Sequence, residues 1–199
     1  TPDAAEAEDY HSEQILTFKR AGADIVSALT FSSTEEAIGI ARAAKAADIP
    51  VVISFFVAKG GKLNGGDTLE EAIKRVDAAT ENAPAYYMIN CTHPTEFEPA
   101  LTDSAWTERL GGFMPNAVAM ETLDLCKLGH LEDGDPEERR GQMATLARRF
   151  PHVHVWDGCC GTGGRHIGQI MQKVLDVRKE IAIYSDSCGS RNWCLDGWV

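Results

Sequence analysis

The stretch Ile49-Pro50-Val51-Val52-Ile53-Ser54-Phe55-Phe56 is apolar almost without interruption. A strand with one solvated face alternates apolar and polar residues, whereas a strand covered on both faces is a nearly continuous apolar run. Helical sequence flanks it, because Ser33-Thr34-Glu35-Glu36 and Thr68-Leu69-Glu70-Glu71 are capping boxes that each predict the start of a helix. A buried strand between two helices predicts an α/β fold with a parallel sheet.

The same alternation of apolar runs and helical patterns extends in both directions along the chain. Further helices are predicted at 4–20, 96–110, 137–150 and 163–179, and further strands at 23–29, 85–91, 111–117 and 153–156. This gives about five strands, each followed by helical sequence. Residues 185–199 have no clear periodicity, so the predicted domain covers residues 1–184 and the remainder is an unassigned carboxyl-terminal tail.

Composition excludes several classes of function. The 199 residues are 44% hydrophobic and 25% charged, the balance of a soluble globular protein. The formal net charge is −11 and no basic cluster stands out, which argues against nucleic acid but not against small ligands. No apolar stretch approaches the roughly 18 residues of a membrane span, and the acidic start does not resemble a signal peptide. We therefore expect a cytoplasmic protein, with an oligomer possible.

Three cysteines follow predicted strands. Cys91 ends the run 85–91, and Cys159 and Cys160 follow the run that ends at Trp156. The carboxyl ends of parallel strands gather the ligand site, so the three sulfurs are predicted to meet there. Soft thiolates favour zinc, and three protein ligands with one open position are typical of catalytic zinc. A substrate thiol in that position would be deprotonated and ready to attack an electrophilic methyl group.

The residues alone leave other interpretations of these cysteines open. An isolated cysteine such as Cys91 is most often a small buried hydrophobe. The adjacent pair Cys159-Cys160 is also compatible with a redox-active disulfide. In a reducing cytosol, however, six cysteines favour metal binding or catalysis over structural disulfides.

Other candidate ligands are weaker. His152 and His154 point to the same side of a predicted strand, but at its amino-terminal end, which favours a structural role. Cys126 and His130 have i,i+4 spacing without further ligands nearby, so they are also interpreted as structural. The glycine-rich run 161–165 opens a helix but lacks the spacing of nucleotide-binding loops.

At the cysteines the chain resembles the homocysteine S-methyltransferase family, zinc-dependent barrels that include betaine–homocysteine methyltransferase and the homocysteine module of methionine synthase. The specific matches are Gly158-Cys159-Cys160-Gly161-Thr162, followed by Arg165-His166-Ile167, and Ile89-Asn90-Cys91. Supporting matches lie at 21–24, 50–55 and 115–117. The resemblance covers residues from about 10 to 175.

The resemblance implies a (β/α)8 barrel of the TIM type, of which this chain carries about the last five β/α units and begins near the fourth strand. It implies that Cys91, Cys159 and Cys160 bind zinc and act through it, with homocysteine sulfur as the fourth ligand. Asn90 is implied to support the metal or the substrate, and Thr30 to lie in the substrate site. The methyl donor is a second small molecule that the sequence does not identify.

The chain departs from the family in three places. Leu29 stands before Thr30 where the family usually has an acidic residue that grips the substrate amine, and Asp157 stands where glycine is common. The amino-terminal strands of the family are also absent from this sequence. The first hypothesis is zinc-dependent methyl transfer to a thiol, homocysteine giving methionine. The alternatives are an altered thiol substrate, a non-catalytic zinc-binding partial barrel, and a redox-responsive thiol protein.

Overall fold

The computed structural model describes residues 2–58, 60–120, 124, 127–130 and 132–187, with side chains described as far as 183. The strands are β1 Val26–Phe31, β2 Val51–Phe55, β3 Tyr86–Asn90, β4 Leu110–Met114 and β5 Val155–Trp156. The α-helices are α1 Ala4–Arg20, α2 Thr34–Ala46, α3 Leu69–Thr80, α4 Pro94–Phe97, α5 Pro136–Arg149 and α6 Gly164–Ser187, with 3-10 helices at Glu98–Ala100 and Ala105–Arg109.

The strands form one parallel sheet in the order β1-β2-β3-β4-β5, so each strand pairs with the next in sequence. When every crossover has the usual right hand, this order places the helices on one face of the sheet, as in a barrel. In β1, Val26 and Ala28 join the helix-covered core, whereas Ser27 and Leu29 on the opposite face are exposed. The predicted fold class is therefore confirmed: a five-stranded partial barrel of the TIM type.

The helix starts have the predicted chemistry. Thr68 and Glu71 form a reciprocal capping box at α3. At α2 the box is half formed, because Ser33 accepts a hydrogen bond from the Glu36 backbone N–H while the Glu36 carboxylate contacts His11 at 3.3 Å. The α1 helix has the predicted bounds and is capped by Asp3.

The largest difference from the predicted elements lies at 96–110. The sequence pattern predicts one irregular helix there, but the segment contains the end of α4 and two 3-10 turns. Pro99 has no backbone N–H and its ring clashes with the preceding helical turn, so an α-helix cannot continue through it. Smaller differences are that β1 begins three residues later than predicted and β5 has only two residues.

The sheet register brings the carboxyl ends of the middle strands side by side. Phe55 pairs with Ile89, Asn90 with Met114, and Phe113 with Trp156. The loops that follow β3, β4 and β5 therefore leave the sheet at the same edge. In the described part of the chain, no helix has the length and apolar character needed to cross a membrane.

Candidate metal centre

The three predicted cysteines come together at the carboxyl edge of the sheet. Their sulfur atoms all lie within 4.8 Å of one another, and those of Cys159 and Cys160 are 4.0 Å apart. Each residue is half-buried. Among the described residues, this is the one group of three or more cysteine, histidine or acidic side chains close enough to hold a metal ion.

Two of these sulfurs are also paired with each other. The sulfur atoms of Cys91 and Cys159 are in direct contact, with Cα atoms 5.5 Å apart, and the Cys160 thiol lies beside them. The sulfurs of the adjacent pair Cys159-Cys160, which the sequence offered as a possible disulfide, are 4.0 Å apart and not bonded to each other. Because zinc binds thiolates, oxidation of any two of these cysteines to a disulfide would prevent them from holding a metal ion. In the reduced state, three clustered thiolates are a donor set that fits zinc.

The backbone turns sharply at the first cysteine. Cys91 follows β3 directly and has φ of +56°, in the left-handed region that residues with a side chain rarely adopt. Such a conformation costs on the order of 1 kcal/mol and persists only where the surroundings hold it. Its N–H donates to the Met114 carbonyl at 3.1 Å. The turn carries the Cys91 side chain out of the strand direction and to the other two sulfurs.

Asn116 joins the two cysteine loops. Its Nδ2 donates to the Cys91 carbonyl at 2.8 Å, and its Oδ1 accepts from the Cys160 N–H at 3.2 Å. The residue is only 1% exposed. One side chain therefore fixes the backbone of two of the three candidate ligands. In the sequence, the stretch 115–117 is only a supporting family match and does not predict this role.

The residues on either side of Asn116 also bind the second cysteine loop, through backbone hydrogen bonds. Cys159 N–H donates to the Pro115 carbonyl at 2.9 Å, and Ala117 N–H donates to the Cys160 carbonyl at 2.8 Å. Gly161 has φ of +77°, and a Cβ there would lie 2.0 Å from the Glu132 carbonyl oxygen. The loop packs so closely here that a residue larger than glycine could not occupy the position without displacing backbone.

The predicted substrate residues form a second network at the end of β1. Asn90 is 2% exposed, and its Oδ1 accepts from the Thr30 N–H at 3.0 Å and from the Ser54 hydroxyl at 2.6 Å. Asn90 Nδ2 donates to the Thr30 hydroxyl at 2.8 Å. Thr30 also has a left-handed φ, +67°. Asn90 therefore holds Thr30 in place, and Ser54 is a member of this network that sequence reasoning did not identify.

The two positions that depart from the family have different surroundings. Leu29 is 45% exposed on the face of the sheet away from the helices. Asp157 lies in the second cysteine loop, where its carboxylate accepts a hydrogen bond from the Gly158 N–H at 2.8 Å. The Asp157 carboxylate thus stabilises the turn in which it lies. Leu29, in contrast, puts an apolar side chain where the family usually has an acidic one.

The remaining candidates lie elsewhere. His152 contacts the Thr107 carbonyl at 3.0 Å and Glu108 at 3.7 Å, and His154 is exposed beside Arg178, both away from the cysteines. His130 pairs with Glu132 on the surface. Cys126 and the tail 188–199 lie outside the described residues.

A partial barrel with three thiols at the carboxyl ends of its strands defines a class: barrel proteins with a cluster of cysteines where the strands end. Residues 1–174 match the family model described as homocysteine S-methyltransferase, and the chain belongs to that family. No curated protein matches the sequence.

Two solved structures show the same fold. The chain is similar to the apo form of the homocysteine methyltransferase MmuM from Escherichia coli, with a TM-score of 0.63 and 17% identity over 87% of this chain and 59% of that chain. For the metallated form of MmuM the TM-score is 0.61 with 16% identity, over 87% of this chain and 53% of that one. The chain therefore spans only about half to three fifths of the length of these relatives.

Proposed function

We propose that this chain provides the metal and thiol part of a homocysteine S-methyltransferase. Cys91, Cys159 and Cys160 would hold one zinc ion as thiolates, and the sulfur of homocysteine would take the remaining position. The observation that carries the proposal is that three sulfurs from two separate strand ends lie within 4.8 Å of one another. Family membership and the likeness to a metallated methyltransferase support it.

The proposed chemistry is a displacement at a methyl carbon. Zinc, when bound, supplies a lowered thiol pKa, so that the substrate sulfur is a thiolate at neutral pH. The sulfur lone pair forms the new S–C bond, while the bond between the methyl carbon and the donor breaks and the donor leaves with that electron pair. The thiol proton passes to solvent. The residues of the chain contribute by holding the sulfur in line with the methyl group.

Two side chains are proposed to position this reaction without touching the reacting atoms. Asn116 fixes the backbone at Cys91 and Cys160, so it sets the spacing of the ligand sulfurs. Asn90 fixes Thr30, which is exposed at the end of β1 and is proposed to contact the substrate. We therefore assign Asn90 to the substrate site through Thr30.

A second candidate function is zinc binding without methyl transfer to homocysteine. Leu29 favours it, because an exposed leucine cannot pair with the substrate ammonium where the family usually has a carboxylate. A methyltransferase that acts on a thiol lacking an amine is consistent with the same observation. These alternatives share the metal site and differ in what occupies its open position.

The test is metal analysis of the reduced protein together with a methyl-transfer assay. The assay offers homocysteine and an amine-free thiol, 3-mercaptopropionate, with betaine, a methylsulfonium compound and a methylfolate as donors. One zinc per chain with turnover of homocysteine is the expected result. Zinc with turnover only of 3-mercaptopropionate indicates the altered substrate, and zinc without turnover indicates the non-catalytic protein. Absence of zinc from the reduced protein would refute the metal site.

A further inference from the structure

Thr92 connects the turn at Cys91 to the loop that follows β2. It comes directly after Cys91 and is 1% exposed. Its hydroxyl donates a hydrogen bond to the Val57 carbonyl at 2.9 Å and accepts one from the Val57 N–H at 3.3 Å. A threonine hydroxyl can be donor and acceptor at once, so one side chain satisfies both backbone groups of Val57. Thr92 therefore acts on this residue as a neighbouring strand would, just beyond the end of β2.

The residue that Thr92 binds is itself firmly placed. Val57 is 1% exposed and belongs to the hydrophobic core. The loop after it turns back at once, with a hydrogen bond from the Gly61 N–H to the Ala58 carbonyl at 2.9 Å. Gly61 has φ of +75°, and a Cβ there would overlap the Ala100 side chain. The loop thus packs against the segment that follows Cys91, and a hydrogen bond to Val57 is a bond to a fixed part of the molecule.

The turn at Cys91 is held from two directions. On the β4 side, the Cys91 N–H donates to the Met114 carbonyl, and Asn116 donates to the Cys91 carbonyl. On the β2 side, the contact comes from Thr92. The left-handed φ of Cys91, +56°, persists only where its surroundings hold it. Loss of the contact on one side should therefore let the turn move about the contacts on the other.

We infer that Thr92 is a positioning residue for the proposed metal centre. Its hydroxyl fixes the backbone next to Cys91 from the side of β2, and this keeps the Cys91 sulfur within 4.8 Å of those of Cys159 and Cys160. Thr92 acts through the backbone and does not touch the metal. The inference rests on the proposed function, because the affinity that Thr92 sets is the affinity for zinc.

The test measures the zinc affinity of the reduced, folded protein by competition with a chromogenic chelator. Thr92→Val keeps the shape of the side chain but removes the hydroxyl, and zinc affinity should fall by about 10-fold, as for other residues that hold a ligand in place. Thr92→Ser keeps the hydroxyl and should retain most of the affinity. The rescue by serine distinguishes the two hydrogen bonds from the packing of the threonine methyl group.

Thr80→Val is the matched control. The Thr80 hydroxyl is also buried, donates to the Val76 carbonyl at 2.7 Å and accepts from the Ala83 N–H at 3.3 Å. It makes the same pair of hydrogen bonds at the end of α3, where no candidate ligand is adjacent in sequence. Thr80→Val should therefore lower the urea midpoint of unfolding, as Thr92→Val does, but leave zinc affinity unchanged.

The outcomes separate this inference from the proposed function. Equal zinc affinity in Thr92→Val and the unsubstituted protein would overturn the role of Thr92 and leave the metal site in place. An equal loss of zinc affinity in Thr80→Val would also overturn it, because the effect would then be general destabilisation. Absence of zinc from the reduced, unsubstituted protein would refute the proposed function and this inference together.

A second measurement uses only the unsubstituted protein and so does not require a variant to fold. Coupling between two equilibria is reciprocal: if the hydrogen bonds between Thr92 and Val57 favour zinc binding, bound zinc must favour those hydrogen bonds by the same factor. Hydrogen exchange of the Val57 N–H through local opening should therefore slow by about 10-fold when the reduced protein is loaded with zinc. The Ala83 N–H, bound in the same way by Thr80, reports any general stabilisation and should slow less. Equal slowing of the two amides would overturn the inference.

Discussion

The two ends of the described sheet differ in how completely their part of the site is built. On the side of β3 to β5, buried Asn116 ties the loops of Cys91 and Cys160 together. On the side of β1, Thr30 is held by Asn90, but the adjacent Leu29 is exposed and apolar. The side proposed to bind the metal is thus supported by a buried side chain, whereas the side proposed to bind the substrate amine has an exposed leucine and no carboxylate at position 29. Metal binding and substrate choice should therefore be separable by mutation.

The largest expected effect is the loss of a ligand. Cys160→Ser replaces a thiolate by a hydroxyl, which is a much poorer zinc ligand, and zinc affinity of the reduced protein should fall by more than about 100-fold. Competition with a chromogenic chelator measures the change. Cys126→Ser is the control, because that cysteine belongs to no predicted ligand set. Unchanged metal content in Cys160→Ser would contradict the site.

The next largest effect is expected from removing the side chain that holds the two cysteine loops together. Asn116→Ala leaves the half-buried Cys91 carbonyl and Cys160 N–H without their partner, which should cost about 2 kcal/mol of stability. Zinc affinity should fall by about 10- to 100-fold, as for other residues that hold ligands in place. Chelator competition and urea unfolding measure the two quantities. Asn64→Ala, which removes an exposed hydrogen bond to Ser32, should change neither by a comparable amount. Wild-type zinc affinity in Asn116→Ala would show that the loops of Cys91 and Cys160 keep their positions without the Asn116 side chain.

A third prediction concerns the network on the β1 side. Asn90→Ala removes the bonds that stabilise Thr30 in its left-handed conformation, and about 2 kcal/mol of stability should be lost with only a small change in zinc affinity. Thr30→Gly removes the side chain that makes this conformation costly. In the Thr30→Gly background the cost of Asn90→Ala should therefore shrink by about 1 kcal/mol. Urea unfolding of the four proteins measures this coupling, and strictly additive effects would mean that Asn90 does not act through Thr30.

The sequence predicted the parts of this arrangement that depend on local pattern. The apolar run at β2 and the capping box at α3 identified buried strands and helix starts, and the positions of the cysteines after strands predicted their meeting. The role of Asn116 was not predictable, because its two hydrogen bonds depend on the path of loops that no periodicity describes. Ser54 did leave a signal, since a lone hydroxyl in a buried strand needs a partner.

Two further differences between the sequence prediction and the structure also depend on packing that no local pattern describes. Pro99 marked a break in the predicted helix at 96–110, but where the 3-10 turns fall is decided by packing rather than by the proline alone. Arg139 lies four residues before the buried Met143 and so shares its helix face, which predicts contact with the core. A basic residue in that position is usually interpreted as solvated. That its three guanidinium nitrogens have no hydrogen-bond partner depends on the surrounding elements, which only the structure shows.

The smallest expected effect would test the β1 side directly. Leu29→Glu restores a carboxylate where the family usually has an acidic residue, next to Thr30. Because Leu29 is 45% exposed, solvent screens the new charge, and an ammonium partner should gain no more than about 1 kcal/mol, or about fivefold in affinity. The ratio of homocysteine to 3-mercaptopropionate binding should rise by that factor, with zinc affinity unchanged. Leu16→Glu is the matched control, being equally exposed but on α1. If Leu29→Glu leaves this binding ratio at the wild-type value, the substrate amine does not bind next to position 29. The leucine would then have no effect on which thiol the protein binds.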